Sequence, residues 1–167
     1  GLILCGMRNM ENTLEIAELA LNFRKKGVVG FDLAGEEGGY PPKKHIEAFQ
    51  AIQRANFNIT IHAGEAFGKE SIWQAIQWCG AHRIGHGTRI LDDLVTDING
   101  SVISMGELAQ YILDKSIPIE ICLLSNVHTG AIDCIENHPF IKLYKNKFRV
   151  TINTDDYNRA VVGSAAA

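Results

Sequence analysis

Histidine and carboxylate side chains follow several apolar runs of this sequence, in places where they could bind a metal ion and activate water. Residues 62–65 read His-Ala-Gly-Glu, His86 lies between two glycines, and Asp155 and Asp156 follow the last apolar run. A catalytic zinc ion takes imidazole and carboxylate ligands and keeps one position for water. The ion lowers the pKa of that water to about 7. A carboxyl group such as Glu65 could then carry protons, and a second histidine could orient the nucleophile.

Each of these residues also has an ordinary structural explanation. A lone histidine at a strand end is often a hydrogen-bonding residue of the surface or core, and Asp155-Asp156 could form a turn or a helix N-cap. Residues 35–39 could be a flexible glycine-rich loop. The pattern is more specific than its members, because the carboxyl ends of parallel strands share one face. We interpret four other histidines as structural: His45, His82, His128 and His138.

Short runs rich in Ile, Val and Leu alternate with segments of helical period, which is typical of an α/β fold with a buried parallel sheet. The predicted strands are residues 2–7, 28–33, 58–62, 82–85, 117–123 and 148–153. The predicted helices are residues 11–26, 43–55, 70–80, a segment from 104, and a weaker one over 131–145 that Pro139 interrupts. Gly27 is the expected C-cap of the first helix, and residues 104–107 (SMGE) resemble a capping box.

The spacing of the strands favours a (β/α)8 barrel of the TIM type. Strand ends at 6, 33, 62, 85, 122 and 153 give units of 23 to 37 residues, against about 31 in such barrels. Flavodoxin-like and Rossmann sheets alternate in the same way, but their glycine-rich phosphate fingerprints are absent from the sequence. We therefore predict an incomplete barrel of about six βα units, with residues 1–156 as a partial catalytic barrel and 157–167 as an unmatched tail.

Composition excludes several other classes of protein. The chain has 167 residues, 46% of them hydrophobic and 21% charged, with a net charge of −3. This composition is typical of one globular domain and indicates neither a nucleic-acid partner nor a membrane span. We expect no signal peptide and a cytoplasmic protein with four reduced cysteines, of which Cys5 and Cys122 would be small buried hydrophobes. Nothing in the sequence indicates an oligomeric state.

Five ordered motifs resemble those of the adenosine deaminase family. They are residues 32–37 (DLAGEE), 62–65 (HAGE), 83–87 (RIGHG), 125–130 (SNVHTG) and 153–156 (NTDD). Residues 2–8 also resemble the third strand of that family, so the likeness runs in order from residue 2 to about 156. By this count the chain holds strands three to eight of the barrel.

The resemblance implies a role for each candidate residue. His62 and Asp155 would be ligands of a Zn²⁺ ion, and His86 would hold the attacking water and help to deprotonate it. Glu65 would donate a proton to purine N1 as the water attacks C6.

Two further residues would bind the purine. Asp156 would hydrogen-bond N7, and Gly35 would offer its backbone N–H to N3, where a glycine permits close approach. The substrate would be a small purine nucleoside, adenosine or deoxyadenosine, and the products inosine and ammonia. The cytidine-deaminase zinc signature is absent from the sequence.

Three departures from the family pattern leave alternatives open. The family's His-x-His zinc pair does not occur, Leu123 stands where Pro is usual, and Tyr157 replaces the Pro expected after Asp-Asp. Adenine deaminase and AMP deaminase are close alternatives. Gly85 before His86 is more like the adenosine enzyme, and no basic cluster suggests a phosphate site. An unrelated α/β sheet protein is a third interpretation.

A non-catalytic fragment is the alternative from a different class, and it gives a direct prediction. Zinc catalysis needs about three protein ligands, whereas the resemblance assigns two within this sequence, and an open six-stranded sheet exposes edges that favour aggregation. We therefore expect the isolated 167-residue chain to bind zinc weakly and to turn over adenosine poorly. Steady-state assays of the purified chain check this, and turnover comparable with that of a full-length homologue would contradict it.

Overall fold

The computed structural model describes residues 1–99 and 101–155. Its strands are β1 (Leu2–Met7), β2 (Val28–Ala34), β3 (Asn58–Ala63), β4 (Arg83–His86), β5 (Leu94–Thr96), β6 (Val102–Met105), β7 (Ile119–Ile121) and β8 (Val150–Ile152). Its α-helices are α1 (Thr13–Asn22), α2 (Ile46–Arg54), α3 (Lys69–Gln77), α4 (Glu107–Asp114), α5 (Leu123–His128) and α6 (Phe140–Lys145). Short 3₁₀ turns cover Pro42–His45, Thr88–Asp93 and Ile135–Asn137. Asp156 and the predicted tail lie outside the described residues.

Six strands form one parallel sheet in the order β1-β2-β3-β4-β7-β8. Neighbours in this sheet follow one another along the chain, apart from the antiparallel hairpin β5–β6 inserted after β4. The register pairs His62 with Gly85 and Ala63 with His86. All six carboxyl ends therefore lie on one face, as the predicted partial barrel requires.

The helices cover the outer face of the sheet because their apolar residues match the buried side of each strand. Phe31 of β2 and Phe49 of α2 are fully buried and meet edge to face, with ring centroids 5.6 Å apart. Small residues such as Ala17 on α1 and Ala75 on α3 are also fully buried, which lets these helices approach the sheet closely. The two sheet edges are more open, and Leu2 of β1 and Ile152 of β8 are exposed.

Several helix boundaries differ from the prediction. The predicted capping box at 104–107 is wrong, because Ser104 lies in β6 and pairs with Val95. The start of α4 is capped instead by Asp93, whose carboxylate accepts a hydrogen bond from the backbone N–H of Ala109 at 2.9 Å. Gly27 is not the cap of α1, which ends at Asn22. Within the predicted helix 131–145, only Phe140–Lys145 is α-helical, because Pro139 at its N-cap breaks the pattern.

Burial was predicted for Cys5 and Cys122, and it is correct only for Cys122. All four thiols are free, and Cys122 is buried as expected. Cys5 is exposed, contrary to the prediction, because β1 is an edge strand of the described sheet. No helix in the described part of the chain combines the length and apolarity needed to span a bilayer.

Candidate active site

Three of the predicted site residues meet at the carboxyl ends of β3, β4 and β8. One donor atom from each of His62, His86 and Asp155 lies within 4.8 Å of the others. His62 Nε2 is 3.9 Å from Asp155 Oδ1, and His86 Nε2 is 4.0 Å from Asp155 Oδ2. Zinc bonds of about 2.0–2.2 Å place two ligands of one ion roughly 3–4 Å apart. The separation of His62 Nε2 and Asp155 Oδ1 fits two ligands of one metal ion, and His86 lies beside them.

Asp32, at the carboxyl end of the neighbouring strand β2, orients His62. Its carboxylate oxygens lie 3.0 and 3.2 Å from His62 Nδ1, so a neutral imidazole donates from Nδ1 and keeps a lone pair at Nε2. Burial works against the protonated form of His62, yet the hydrogen bond and charge of Asp32 outweigh it and raise the pKa of the ring. A carboxylate behind a histidine is the usual support of a metal ligand.

His86 and Asp155 both have left-handed backbones. Their φ angles are 65° and 60°, a region that side chains rarely adopt and that costs about 1–3 kcal/mol per residue. His86 is only 1% exposed, and burial lowers its pKa despite the opposing charge of Glu65. Such strain persists only where neighbours hold the residue, and Ser125 does so for Asp155 through a 2.6 Å hydrogen bond from Oγ to Oδ2.

One oxygen of the Glu65 carboxylate accepts two hydrogen bonds, and the other accepts none from residues 1–99 and 101–155. Glu65 Oε1 accepts hydrogen bonds from Asn126 Nδ2 at 3.1 Å and from Thr129 Oγ1 at 2.9 Å. Both donors go to the same oxygen, which leaves Oε2 as the atom available to carry a proton. The sequence motif 125–130 contains both donors, but their target could not be read from it.

Glycines keep the approach to these side chains open. An added Cβ at Gly85 would lie 3.3 Å from His62 Cα and 3.4 Å from its Nδ1, so a side chain there would crowd the imidazole. Gly64, at φ +69°, has a backbone conformation that side chains rarely adopt, and a Cβ there would clash with Ile72 of α3. Gly35, at φ +101°, lines a cleft of about 450 Å³ together with His62 and Glu65. The structure thus brings three predicted residues to one cleft of a size suited to a small ligand.

A buried ion pair supports the segment that carries Glu65. The Glu37 carboxylate accepts the backbone N–H groups of Gly64 at 2.7 Å, Ala66 at 3.1 Å and Phe67 at 2.7 Å. Arg8, 3.6 Å from Glu37 Oε1, donates to the carbonyl oxygen of His62 at 2.7 Å. The sequence alone predicts no role for either residue, although Arg8 directly follows β1 and Glu37 lies three residues after β2.

Comparisons with known sequences identify the proteins that this chain resembles. A sequence profile described as adenosine deaminase matches residues 1–165. Adenosine deaminase 1 of Streptomyces coelicolor is 54% identical over 156 residues, which are 93% of this chain and 39% of that protein. The adenosine deaminase of Mycobacterium ulcerans is 53% identical over 155 residues, 93% of this chain and 42% of that protein. The chain therefore spans about two fifths of these curated relatives.

Solved structures share the fold. Adenine deaminase from Arthrobacter aurescens superposes with a TM-score of 0.80 at 26% identity, covering 95% of this chain and 45% of that one. The N6-methyl-AMP deaminase of Arabidopsis thaliana gives 0.78 at 30% identity, covering 95% and 43%. An amidohydrolase from Burkholderia ambifaria with bound Zn gives 0.73 at 20% identity, covering 93% and 41%, and shows the fold alone. The predicted family and the partial TIM-barrel fold are confirmed.

Replacing Glu37 by Gln tests the support of residues 64–67. The amide keeps the shape of the carboxylate but leaves the Arg8 charge buried without its partner, and only one of its terminal atoms still accepts hydrogen bonds. We expect the free energy of unfolding to fall by about 3–5 kcal/mol, as for other broken buried ion pairs. Urea denaturation of the full-length protein measures the change. Glu47→Gln on the exposed side of α2 is the matched control, and equal stability of the two variants would contradict the expected role.

Proposed function

This chain belongs to the adenosine deaminase family, and from that premise we propose that its protein catalyses the zinc-dependent hydrolytic deamination of adenosine, and of deoxyadenosine, to the inosine product and ammonia. The observation that carries the proposal is the convergence of His62, His86 and Asp155 within 4.8 Å, with Glu65 Oε1 only 3.6 Å from His86 Nδ1. The chemistry requires a metal site, a proton carrier and a cleft, and the described residues supply parts of each.

In this proposal His62 and Asp155 would hold the zinc ion, and Asp32 orients His62 through its contact with Nδ1. When bound, the ion lowers the pKa of water to about 7 and so supplies a nucleophile at neutral pH. A catalytic zinc site needs about three protein ligands, and these two residues would supply two of them. His86, beside them, orients the attacking water.

The remaining roles concern the purine. Glu65 protonates N1 from its oxygen Oε2, which turns C6 into a better electrophile while the water attacks. The backbone N–H of Gly35 binds N3 from the wall of the same cleft. Asp156, which lies outside the described residues, is the proposed partner of N7.

The cleft favours a nucleoside over a nucleotide. The described residues that line it include Glu36 and Glu65 but no Lys or Arg, and the charge of Glu37 is balanced by Arg8. Acidic walls oppose a phosphate group by charge repulsion. Adenine deaminase and AMP deaminase activity remain the alternatives within the family. The relatives at 53–54% identity are named adenosine deaminases, whereas the adenine and N6-methyl-AMP deaminases are only 26–30% identical.

The proposed setting is purine metabolism in the cytoplasm. The reducing conditions of that compartment would keep the four thiols free, as they are in the structure.

Replacing Glu65 by Gln in the full-length protein tests the function. The amide keeps the hydrogen bonds at one atom but cannot deliver a proton to N1, so we expect kcat with adenosine to fall by about 10²–10⁴. The zinc content, measured by atomic absorption, should stay at the wild-type level because Glu65 is not a proposed ligand. Glu47→Gln again serves as the control and should leave kcat unchanged.

The same assay separates the substrates. Wild-type protein is tested with adenosine, adenine and AMP, and adenosine should give the highest kcat/KM. A Glu65→Gln variant with unchanged turnover would contradict the mechanism. A preference for AMP or adenine would replace the proposed substrate.

A further inference from the structure

A chain of hydrogen bonds behind the site begins at a backbone amide of α6. The N–H of Phe140 donates to His138 Nδ1 at 3.2 Å. A backbone amide is always a donor, so His138 Nδ1 must be the acceptor, and the neutral ring carries its proton on Nε2. Burial, with a smaller contribution from His86, lowers the pKa of His138 to about 4, and the ring is therefore neutral near pH 7.

His138 in turn fixes the orientation of Asn126. Its Nε2 lies 3.1 Å from Asn126 Oδ1, so the imidazole donates and the amide oxygen accepts. The amide nitrogen must then face the opposite way, toward Glu65 and His86. Glu65 Oε1 demands the same orientation independently, because a carboxylate oxygen facing the amide oxygen would be repelled. Two separate partners thus agree on one orientation of a side chain that is completely buried.

The amide nitrogen of Asn126 has two hydrogens and two acceptors. One acceptor is Glu65 Oε1 at 3.1 Å, and the other is His86 Nδ1 at 2.9 Å. His86 Nδ1 therefore carries a lone pair, and the proton of the neutral ring lies on Nε2. That atom is the one that faces Asp155 across 4.0 Å.

We propose that Asn126 and His138 are positioning residues that select the Nε2–H tautomer of His86 and hold Glu65 through the same amide group. The catalytic consequence rests on the proposed function. In this tautomer neutral His86 offers an N–H to the attacking water and has no lone pair at Nε2 to take its proton. The orienting part of the predicted role of His86 is thereby favoured over the deprotonating part. Asn126 is fully buried and His138 only 6% exposed, and Asn126 contacts Glu65 and His86 through its amide group, so both residues act through other side chains.

Replacing Asn126 by Asp keeps the shape of the side chain almost unchanged. It replaces the amide N–H donor that faces Glu65 and His86 by a carboxylate oxygen, which can only accept. One carboxylate oxygen still accepts from His138, but the other now faces His86 Nδ1 and Glu65 Oε1. The carboxylate attracts a proton to His86 Nδ1 and repels Glu65. A wrong histidine tautomer costs about 10⁴ in kcat in the serine-protease triad. We expect kcat to fall at least about 100-fold with KM changed by no more than about threefold, because transition-state rather than ground-state contacts are lost.

The tautomer itself is the decisive measurement, since it does not depend on turnover. Two-bond ¹H–¹⁵N spectra of the full-length, metal-loaded protein, labelled at histidine, distinguish a protonated Nδ1 from a protonated Nε2. The His86 signals are assigned from the variant His86→Gln. Wild type should show the Nε2–H form of His86, and Asn126→Asp should show Nδ1 protonated. Gln50→Glu, an exposed amide-to-carboxylate change on α2 next to Arg54, is the matched control and should alter neither the tautomer nor kcat.

A pair of His138 variants keeps the test decisive if Asn126→Asp does not fold. Gln at 138 can still donate to Asn126 Oδ1, so His138→Gln should preserve the tautomer and most of kcat. His138→Leu cannot donate, which removes one of the two partners that hold the Asn126 amide, and it should raise the share of the Nδ1–H tautomer of His86 and lower kcat.

Two results would overturn the proposal. One is an Nδ1–H tautomer of His86 in wild type, and the other is the same His86 tautomer in wild type, Asn126→Asp and His138→Leu. Failure of the proposed function looks different: wild type would then show no adenosine turnover, whatever the tautomer of His86.

Discussion

The buried charge pair of Arg8 and Glu37 is the constraint on which the candidate site depends. Arg8 is 1% exposed and Glu37 5% exposed, and burying an ion costs several kcal/mol unless hydrogen bonds compensate it. The compensation comes from the backbone around residues 62–67: Arg8 binds the carbonyl of His62, and Glu37 binds the amides that follow. An apolar pair of equal volume could stabilise the fold as well, but it would make no directional contact with this segment. The ion pair therefore fixes where the strand ends and where Glu65 points.

Two neighbouring histidines acquire opposite tautomers because their Nδ1 atoms meet different partners. The rings of His62 and His86 are 4.9 Å apart between centroids, and each lies at the end of its strand. Asp32 is a pure acceptor, so His62 donates from Nδ1 and turns a lone pair toward the metal position. Asn126 offers an N–H, so His86 accepts at Nδ1 and turns an N–H toward the same place. One position would bind a cation and the other a nucleophilic oxygen, although the two side chains are chemically identical.

The strands and their polar ends could be predicted from sequence, because runs of Ile and Val and the residues that follow them are local patterns. The hydrogen-bond partners of these polar residues could not be predicted, because they lie far away along the chain. Asp93 caps α4 from 16 residues before Ala109, and the predicted capping box failed since Ser104 was already paired in a hairpin. His138 was interpreted as structural, and only the fold shows that it lies behind Asn126. The residue types predicted the chemistry of the site. The orientation of its side chains depends on contacts between segments that are distant in the sequence.

The predicted strand over 117–123 is a strand only at Ile119–Ile121, and the short helix α5 that follows it places two supporting residues at the site. Ser125 binds the strained Asp155, and its neighbour Asn126 binds His86 and Glu65. Successive side chains of a strand point to opposite faces, so a continued strand could not aim both residues into the site. In a helix adjacent residues are only about 100° apart, which lets one turn hold two strained positions. Leu123 is the first residue of this helix, where proline is also favoured, and leucine can replace it there without disturbing the turn.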